Sequence, residues 1–213
     1  MFKILLVIII GYLVGSIPSG LIVGRIVKGI DIRDYGSNRT GTTNVLRTIG
    51  KLAGLIVLIA DIGKGAGATF IAIWLLSPNT LLYWAVFSGA LAAMIGHNWS
   101  VFIKFKGGRG VTVGVGGLLA MYWPVGLTCL VIFAIAVKVS RYVSLGSVIA
   151  ASSSIIMLIP FIILERQPYQ FLIFAIVGTI LIVYKHRDNI NRLIAGTERR
   201  IGEKVEIHTE VGQ

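Results

Sequence analysis

Of 213 residues, 55% are hydrophobic and only 14% are Asp, Glu, Lys or Arg, against roughly 25% in an average soluble domain. The balance is basic, with 20 Lys and Arg against 9 Asp and Glu, a net charge of +11 and a pI near 10.1. So few charges cannot cover a water-facing surface. This excludes a soluble globular protein, a disordered chain and a nucleic-acid-binding domain, and leaves a polytopic membrane protein.

The apolar runs have the length that a bilayer asks of a spanning helix, roughly 20 residues. The run from Ile4 to Gly24 follows Lys3 as a signal peptide would, but it is too long and has no A-x-A site, so it is expected to remain as the first helix. Leu52 to Leu76 is the second span and carries Asp61 and Lys64. The turn Ser77-Pro78-Asn79-Thr80 separates it from the third, Leu81 to Ile103. Val111 to Val137 has no charge and holds Pro124 near its middle. Leu145 to Leu164 and Gln167 to Tyr184 follow, divided by Glu165-Arg166. The single Cys129 lies in an apolar run, which excludes an internal disulfide or a cysteine-based metal cluster.

The cations arbitrate how 111–137 is folded. If it is a hairpin, the loops 25–51, 104–110 and 138–144 and the end from 185 share one face and hold 17 of the 20 basic residues. The positive-inside rule then puts that face in the cytoplasm. The expected architecture is all-α: one polytopic domain over 1–200 with seven transmembrane helices, the fourth and fifth short. The N-terminus is expected outside and the C-terminus inside, with 201–213 as a flexible cytoplasmic tail. A re-entrant pair at 111–137 keeps the same sidedness.

The first of these loops, Gly36-Ser37-Asn38-Arg39-Thr40-Gly41-Thr42-Thr43-Asn44-Val45-Leu46-Arg47, crowds hydroxyls, amides, glycines and two Arg ahead of a helix expected near Asn44. A phosphate needs several donors at once, and such a loop supplies them, although a plain polar loop would look similar. The second, Lys104-Phe105-Lys106-Gly107-Gly108-Arg109-Gly110, opens directly into a helix and follows the logic of a phosphate-binding nest. It is not a Walker A loop, because the G-x4-G-K-[ST] spacing is absent. Ser144, at an expected helix N-terminus, suits an N-cap. His186 and Asn189 share a face if the last helix continues. Within the bilayer, Asp61 and Lys64 are expected to pair with each other, an ion or proton path being the sharper alternative.

Taken in order, Gly15-Ser16-Ile17-Pro18-Ser19-Gly20, the 36–47 loop, Gly96-His97 with Phe105-Lys106-Gly107-Gly108-Arg109-Gly110-Val111, Tyr142-Val143-Ser144-Leu145 and His186-Arg187-Asp188-Asn189-Ile190-Asn191-Arg192-Leu193 resemble the bacterial acyl-phosphate–glycerol-3-phosphate acyltransferase family, PlsY, over almost the whole chain to about Glu198. The resemblance implies a seven-helix enzyme of the bacterial inner membrane with its active site facing the cytoplasm. It implies transfer of a fatty acyl group from acyl phosphate to the 1-hydroxyl of glycerol 3-phosphate, which yields lysophosphatidic acid for phospholipid synthesis. By resemblance, Ser37, Arg47, Lys106, His186 and Asn189 carry the catalysis. Gly41, Thr43, Asn44, Gly107, Gly108, Arg109 and Ser144 hold substrate and phosphate. No metal or cofactor is expected, and no nucleic-acid partner.

No Asp follows His97 or His186 at the H-x4-D spacing, so no base–carboxylate dyad is offered. An acyl phosphate is already activated, and orientation with charge stabilisation can supply much of the rate. The substrate's own phosphate is then the expected proton acceptor. Two residues depart from the family's first motif: Asn38 replaces a Gly and Arg39 a short amide, while Arg109 replaces the usual Lys. A small transporter or channel, or a divergent phosphate- or lipid-binding relative without catalysis, are the competing classes.

Overall fold

The computed structural model describes residues 1–203, and the tail expected to be flexible lies outside the described residues from 204 onward. Among the described residues the chain is helical without strands. Ten α-helices follow in order: α1 (Phe2–Ser16), α2 (Ser19–Lys28), α3 (Thr42–Thr48), α4 (Lys51–Leu76), α5 (Leu82–Asn98), α6 (Val111–Met121), α7 (Trp123–Ser140), α8 (Val143–Leu164), α9 (Tyr169–Lys185) and α10 (Arg187–Ile194).

The first expected helix is in fact broken. Pro18 has no N–H, and its ring drives Ile17 out of the helical region, to φ −56° and ψ 118°, so α1 ends and α2 begins with a new direction. The 111–137 run also breaks, at Tyr122, whose backbone is extended; Pro124 sits in the first turn of α7, where a missing N–H costs nothing. The pair is therefore unequal. At eleven residues α6 is about 17 Å long, well short of a hydrocarbon core of roughly 30 Å, whereas α7 has 18 residues and is not short. Five stretches are long and apolar enough to cross a membrane: Phe2–Lys28, Lys51–Leu76, Leu82–Ile103, Trp123–Ser140 and Val143–Leu164. Instead of running straight on, α9 meets α10 at a 61° bend at His186.

Small residues let these helices approach closely, since dispersion and close backbone packing replace the hydrophobic drive between lipid-embedded helices. A Cβ on Gly65 would overlap the Val113 carbonyl, and one on Gly116 the Ile62 carbonyl, which seats α6 against α4. Ala68, Ala72, Ala90, Ala93, Met94 and Phe174 fill the core between them. Long-range bonds sort the two ends of the bundle. Lys3 Nζ donates to Leu75 O at 3.1 Å and the Tyr122 hydroxyl to Glu165 at 2.6 Å at one end. At the other, Lys185 Nζ donates to Asn98 O and Ser144 meets Glu198. The polar motifs all gather at this second end.

Candidate active site

The first loop owes its shape to one buried amide. Asn44 Nδ2 lies 2.9 Å from Ile32 O, 3.0 Å from Tyr35 O and 2.9 Å from Arg39 O, and its Oδ1 accepts from the Ser37 N–H at 2.9 Å. Asn44 is thus committed to the loop's own backbone, and α3 starts two residues earlier than expected, at Thr42. Asn38 takes φ 55°, the left-handed region that a short amide tolerates, and its side chain donates to Arg33 O at 2.7 Å. Gly20 on α2 packs so closely that a Cβ would overlap Thr40 O, which fastens the loop to the bundle. Gly41 is the extended N-cap of α3, and Thr43 lies half-buried in its first turn.

From α3, Arg47 reaches the chain segment after α10. Its Nη2 donates to Arg199 O at 3.2 Å and Arg200 O at 3.3 Å, and burial lowers its pKa against the opposing pull of Glu198. Glu198 is the centre of this end of the molecule. Its Oε1 accepts from Ser144 Oγ at 2.9 Å and from Asn189 Nδ2 at 2.6 Å, and its Oε2 accepts from Arg192 Nε at 2.8 Å. Ser144 is therefore not an N-cap; that position of α8 belongs to Tyr142, and the hydroxyl points at a carboxylate 54 residues away. Burial alone would raise the Glu198 pKa, but the bonds from Asn189, Ser144 and Arg192 hold it below its ordinary range.

Asn189 arrives at this carboxylate by way of the bend. His186 ends α9, and its Nδ1 lies 2.8 Å from Ile182 O, so Nδ1–H donates and Nε2 is left as the acceptor of the neutral ring. Burial, and then the charge of Arg109, push His186 down to about 4. Arg109 itself is pushed down to about 10 by burial and by the neighbouring Arg39. Arg39 thus belongs to the cation group at Arg109.

The second loop turns through two consecutive left-handed residues, Lys104 (φ 55°) and Phe105 (φ 61°), before Gly107 and Gly108 bury themselves against the end of α5. Lys106 projects into a cleft of about 750 Å³ lined also by Arg25, Arg33, Lys104, Asn38 and Asp34, with Leu21, Ile22, Phe102 and Ile103 as its apolar wall. The structure thus divides the expected residues. Arg47, Ser144 and Asn189 converge around Glu198 and its neighbouring carbonyls, with His186 and Arg109 coupled beside them. Lys106 opens on the cationic cleft, one residue of which adjoins Ser37. Glu198 and Arg192 were missed in the sequence, where a Glu close to the end reads as one more solvated charge. Nothing local marks it.

Eight buried side-chain N or O atoms have no hydrogen-bond partner among the described residues. Seven belong to Thr42, Arg47, Thr48, Asn98, Arg109 and Asn189, all at this end; the eighth is Asp61 Oδ2. Unmatched buried polar atoms cost about 1–3 kcal/mol each, and seven of the eight are concentrated at this end.

An all-helical integral membrane protein with a cation-rich end is the class that this fold and site define. The glycerol-3-phosphate acyltransferase family model matches residues 5–196. The chain is 44% identical over 200 residues to a glycerol-3-phosphate acyltransferase of Synechococcus sp. (strain CC9902), covering 94% of this chain and 96% of the relative. It is 43% identical over 192 residues to one of Gloeobacter violaceus, covering 90% and 92%. It also superposes on the crystal structure of PlsY (YgiH), an integral membrane glycerol 3-phosphate acyltransferase, in its glycerol 3-phosphate form, with a TM-score of 0.83 and 38% identity over 93% of this chain and 96% of that one. The chain belongs to the glycerol-3-phosphate acyltransferase family.

Proposed function

We propose that this membrane acyltransferase uses acyl phosphate as donor, and that it acylates the 1-hydroxyl of glycerol 3-phosphate at the cytoplasmic face of the bacterial inner membrane. The new bond joins O1 of glycerol 3-phosphate to the acyl carbonyl carbon. The bond from that carbon to the phosphate oxygen breaks, and inorganic phosphate leaves. The products are 1-acyl-glycerol 3-phosphate and phosphate.

The observation that carries this is the clustering of buried polar atoms without a partner among the described residues, the Nε groups of Arg47 and Arg109 included, with Arg39 and Arg192 at one end of an apolar bundle. Two anions must be brought together there against their mutual repulsion, and a set of fixed donors in a low-dielectric setting does this. That the solved relative is described in glycerol 3-phosphate and lysophosphatidic acid forms supports the same acceptor and product here. Arg47, Ser144, Asn189 and Arg109 hold phosphate, while Lys106, Ser37, Gly107 and Gly108 hold and orient the donor at the cleft. Asn44, Gly41 and Thr43 keep the first loop in shape. Neutral His186 offers Nε2 to the acceptor hydroxyl as a hydrogen-bond acceptor, and the proton passes to a substrate phosphate oxygen. With seven membrane helices, α6 being the short one, the N-terminus lies outside and this site inside.

The decisive experiment incubates purified protein in detergent with palmitoyl phosphate and labelled glycerol 3-phosphate. Labelled lysophosphatidic acid is expected; its absence from a folded sample rejects the donor assignment, as does turnover confined to a different acyl donor. Single-cysteine labelling at Met1 and at Ile201 in inverted vesicles reports the orientation.

A further inference from the structure

Away from the Glu198 cluster, four buried polar side chains meet inside the bundle. Asp61 Oδ1 on α4 accepts from Ser19 Oγ at 2.7 Å and from Lys64 Nζ at 2.8 Å. Lys64 Nζ also donates to Ser19 Oγ and, at 2.5 Å, to Ile17 O at the break between α1 and α2. All three ammonium protons are used, and the broken helix is held to α4 by them. This accounts for the ion pair without an ion path, and it gives the Ile17 carbonyl, turned out of helical register at the break, a second donor beside the Ser19 N–H.

The fourth member is His97, whose Nδ1 lies 3.8 Å from Asp61 Oδ1. Its other face touches the second loop. A Cβ on Gly108 would overlap His97 Nε2, a Cβ on Gly107 would overlap His97 O, and the Gly108 N–H donates to that carbonyl at 3.0 Å. The next residue, Asn98, is fully buried, and its side-chain amide lies under Gly110. The seat is rigid because this end of α5 is fastened to α1: Ser100 Oγ donates to Ser16 O at 2.5 Å and the Tyr12 hydroxyl to Trp99 O at 2.8 Å. Two glycines are required in the loop because an imidazole ring and its own backbone occupy the space that side chains would need.

We infer that His97, seated on the buried Asp61–Lys64 pair, is a positioning residue for acyl transfer: its ring and carbonyl are the bed on which the Gly107–Gly108 turn lies, and that turn aims Lys106 and Arg109 at the substrates. This rests on the acyltransferase reading above for the substrates it names. His97 touches neither reacting atom; it acts through the loop.

A double-mutant cycle reads this out, because neighbours that share space give non-additive effects. In the native background, Gly108→Ala raises KM for acyl phosphate, through Lys106, and for glycerol 3-phosphate, through Arg109, by about tenfold or more, with a smaller change in kcat, since displacement of a positioning loop weakens alignment. With His97→Ala already present, the ring is gone and adding Gly108→Ala changes KM by less than about twofold. Gly107→Ala serves as the internal control: its methyl meets backbone, so its penalty persists in both backgrounds. Equal Gly108→Ala penalties with and without His97 overturn the inference. The neutral pair Asp61→Asn with Lys64→Met tests the seat, and it is expected to raise KM as His97→Ala does. Kinetics within about twofold of the native enzyme would instead disconnect the pair from the loop. If the native protein makes no lysophosphatidic acid from palmitoyl phosphate, the reaction assigned above fails. Calorimetric binding of glycerol 3-phosphate to the same set of variants then still decides the positioning role.

Discussion

Asn189 Nδ2 and Glu198 Oε1 lie 2.6 Å apart, across the turn that follows α10. The same oxygen accepts from Ser144, so a single carboxylate ties α8, α10 and the segment after α10 together beside the proposed site. Arg47 secures the next two carbonyls from the opposite side. The segment after α10 is therefore a wall of the proposed site.

Glu198→Ala leaves Ser144, Asn189 and Arg192 without their acceptor. Loss of hydrogen bonds to a charged group is worth about 1.5–3 kcal/mol, and the solvent around Arg192 places the effect at the low end, about 1.5 kcal/mol. A lower thermal midpoint in detergent is expected. The pH dependence has a definite sign. The folded pKa lies below its ordinary value of 4.5, so the contribution is fully present above that value and is lost as pH falls through the lower folded value. Glu198→Gln should flatten this acid limb relative to the native protein; an unchanged limb would show that the carboxylate does not anchor the segment.

Asn44→Asp replaces the amide that serves three carbonyls by a group that repels them. A destabilisation of about 2–3 kcal/mol is expected, with loss of acyltransferase activity, because the 32–44 loop loses its clasp. Thermal unfolding followed by tryptophan fluorescence checks it, and a native-like midpoint would contradict the clasp.

His186 is held neutral by burial and by Arg109, with its pKa near 4. For a base whose folded pKa is depressed, protonation is resisted as pH falls below its ordinary 6.5, and the ring keeps its Nε2 lone pair down to about pH 5. The profile of kcat/KM should show no limb near 6.5 that depends on His186. A limb there that disappears in His186→Asn would place the residue in a wetter setting than the structure gives it.

Arg47→Ala and Lys106→Ala should separate. Arg47 is half-buried and carries a Nε without a partner, so its loss should lower kcat/KM by about 10²–10³ while the protein stays folded. Lys106 lines an open cleft shared with three other cations, so its loss should act mainly on the donor KM, by about tenfold, and weaken with added salt. Near-native kinetics in both would move the phosphate site elsewhere.

Most of the long apolar helices, the turn at Ser77-Pro78 and the gathering of cations at one end were legible in sequence, because hydropathy and charge are properties of neighbouring residues and the bilayer reads them locally. Local steric rules also anticipated Asn38 at positive φ. The same rules apply to Pro18, which stops α1, and to Pro124, whose missing N–H cannot bond the carbonyl four residues back and which sits in the first turn of α7 just after the break at Tyr122. Ser144 read as a helix cap because a hydroxyl near an N-terminus is adequate to that task. Only the approach of a carboxylate 54 residues away shows what it binds.

By itself, then, the sequence determined that this chain is an apolar helical bundle with a donor-rich, basic end, and it named most of the residues there. Tertiary structure alone decided which of them meet: Glu198 with Ser144 and Asn189, Arg47 with the backbone at 199 and 200, and His97 with Gly108 above Asp61. The physical reason is that periodicity and hydropathy act over a few residues, whereas each of these contacts except Asn189–Glu198 and Gly108–His97 closes a loop of dozens of residues. Their partners carry the same polar labels as any solvated side chain until helix packing brings them within bonding distance.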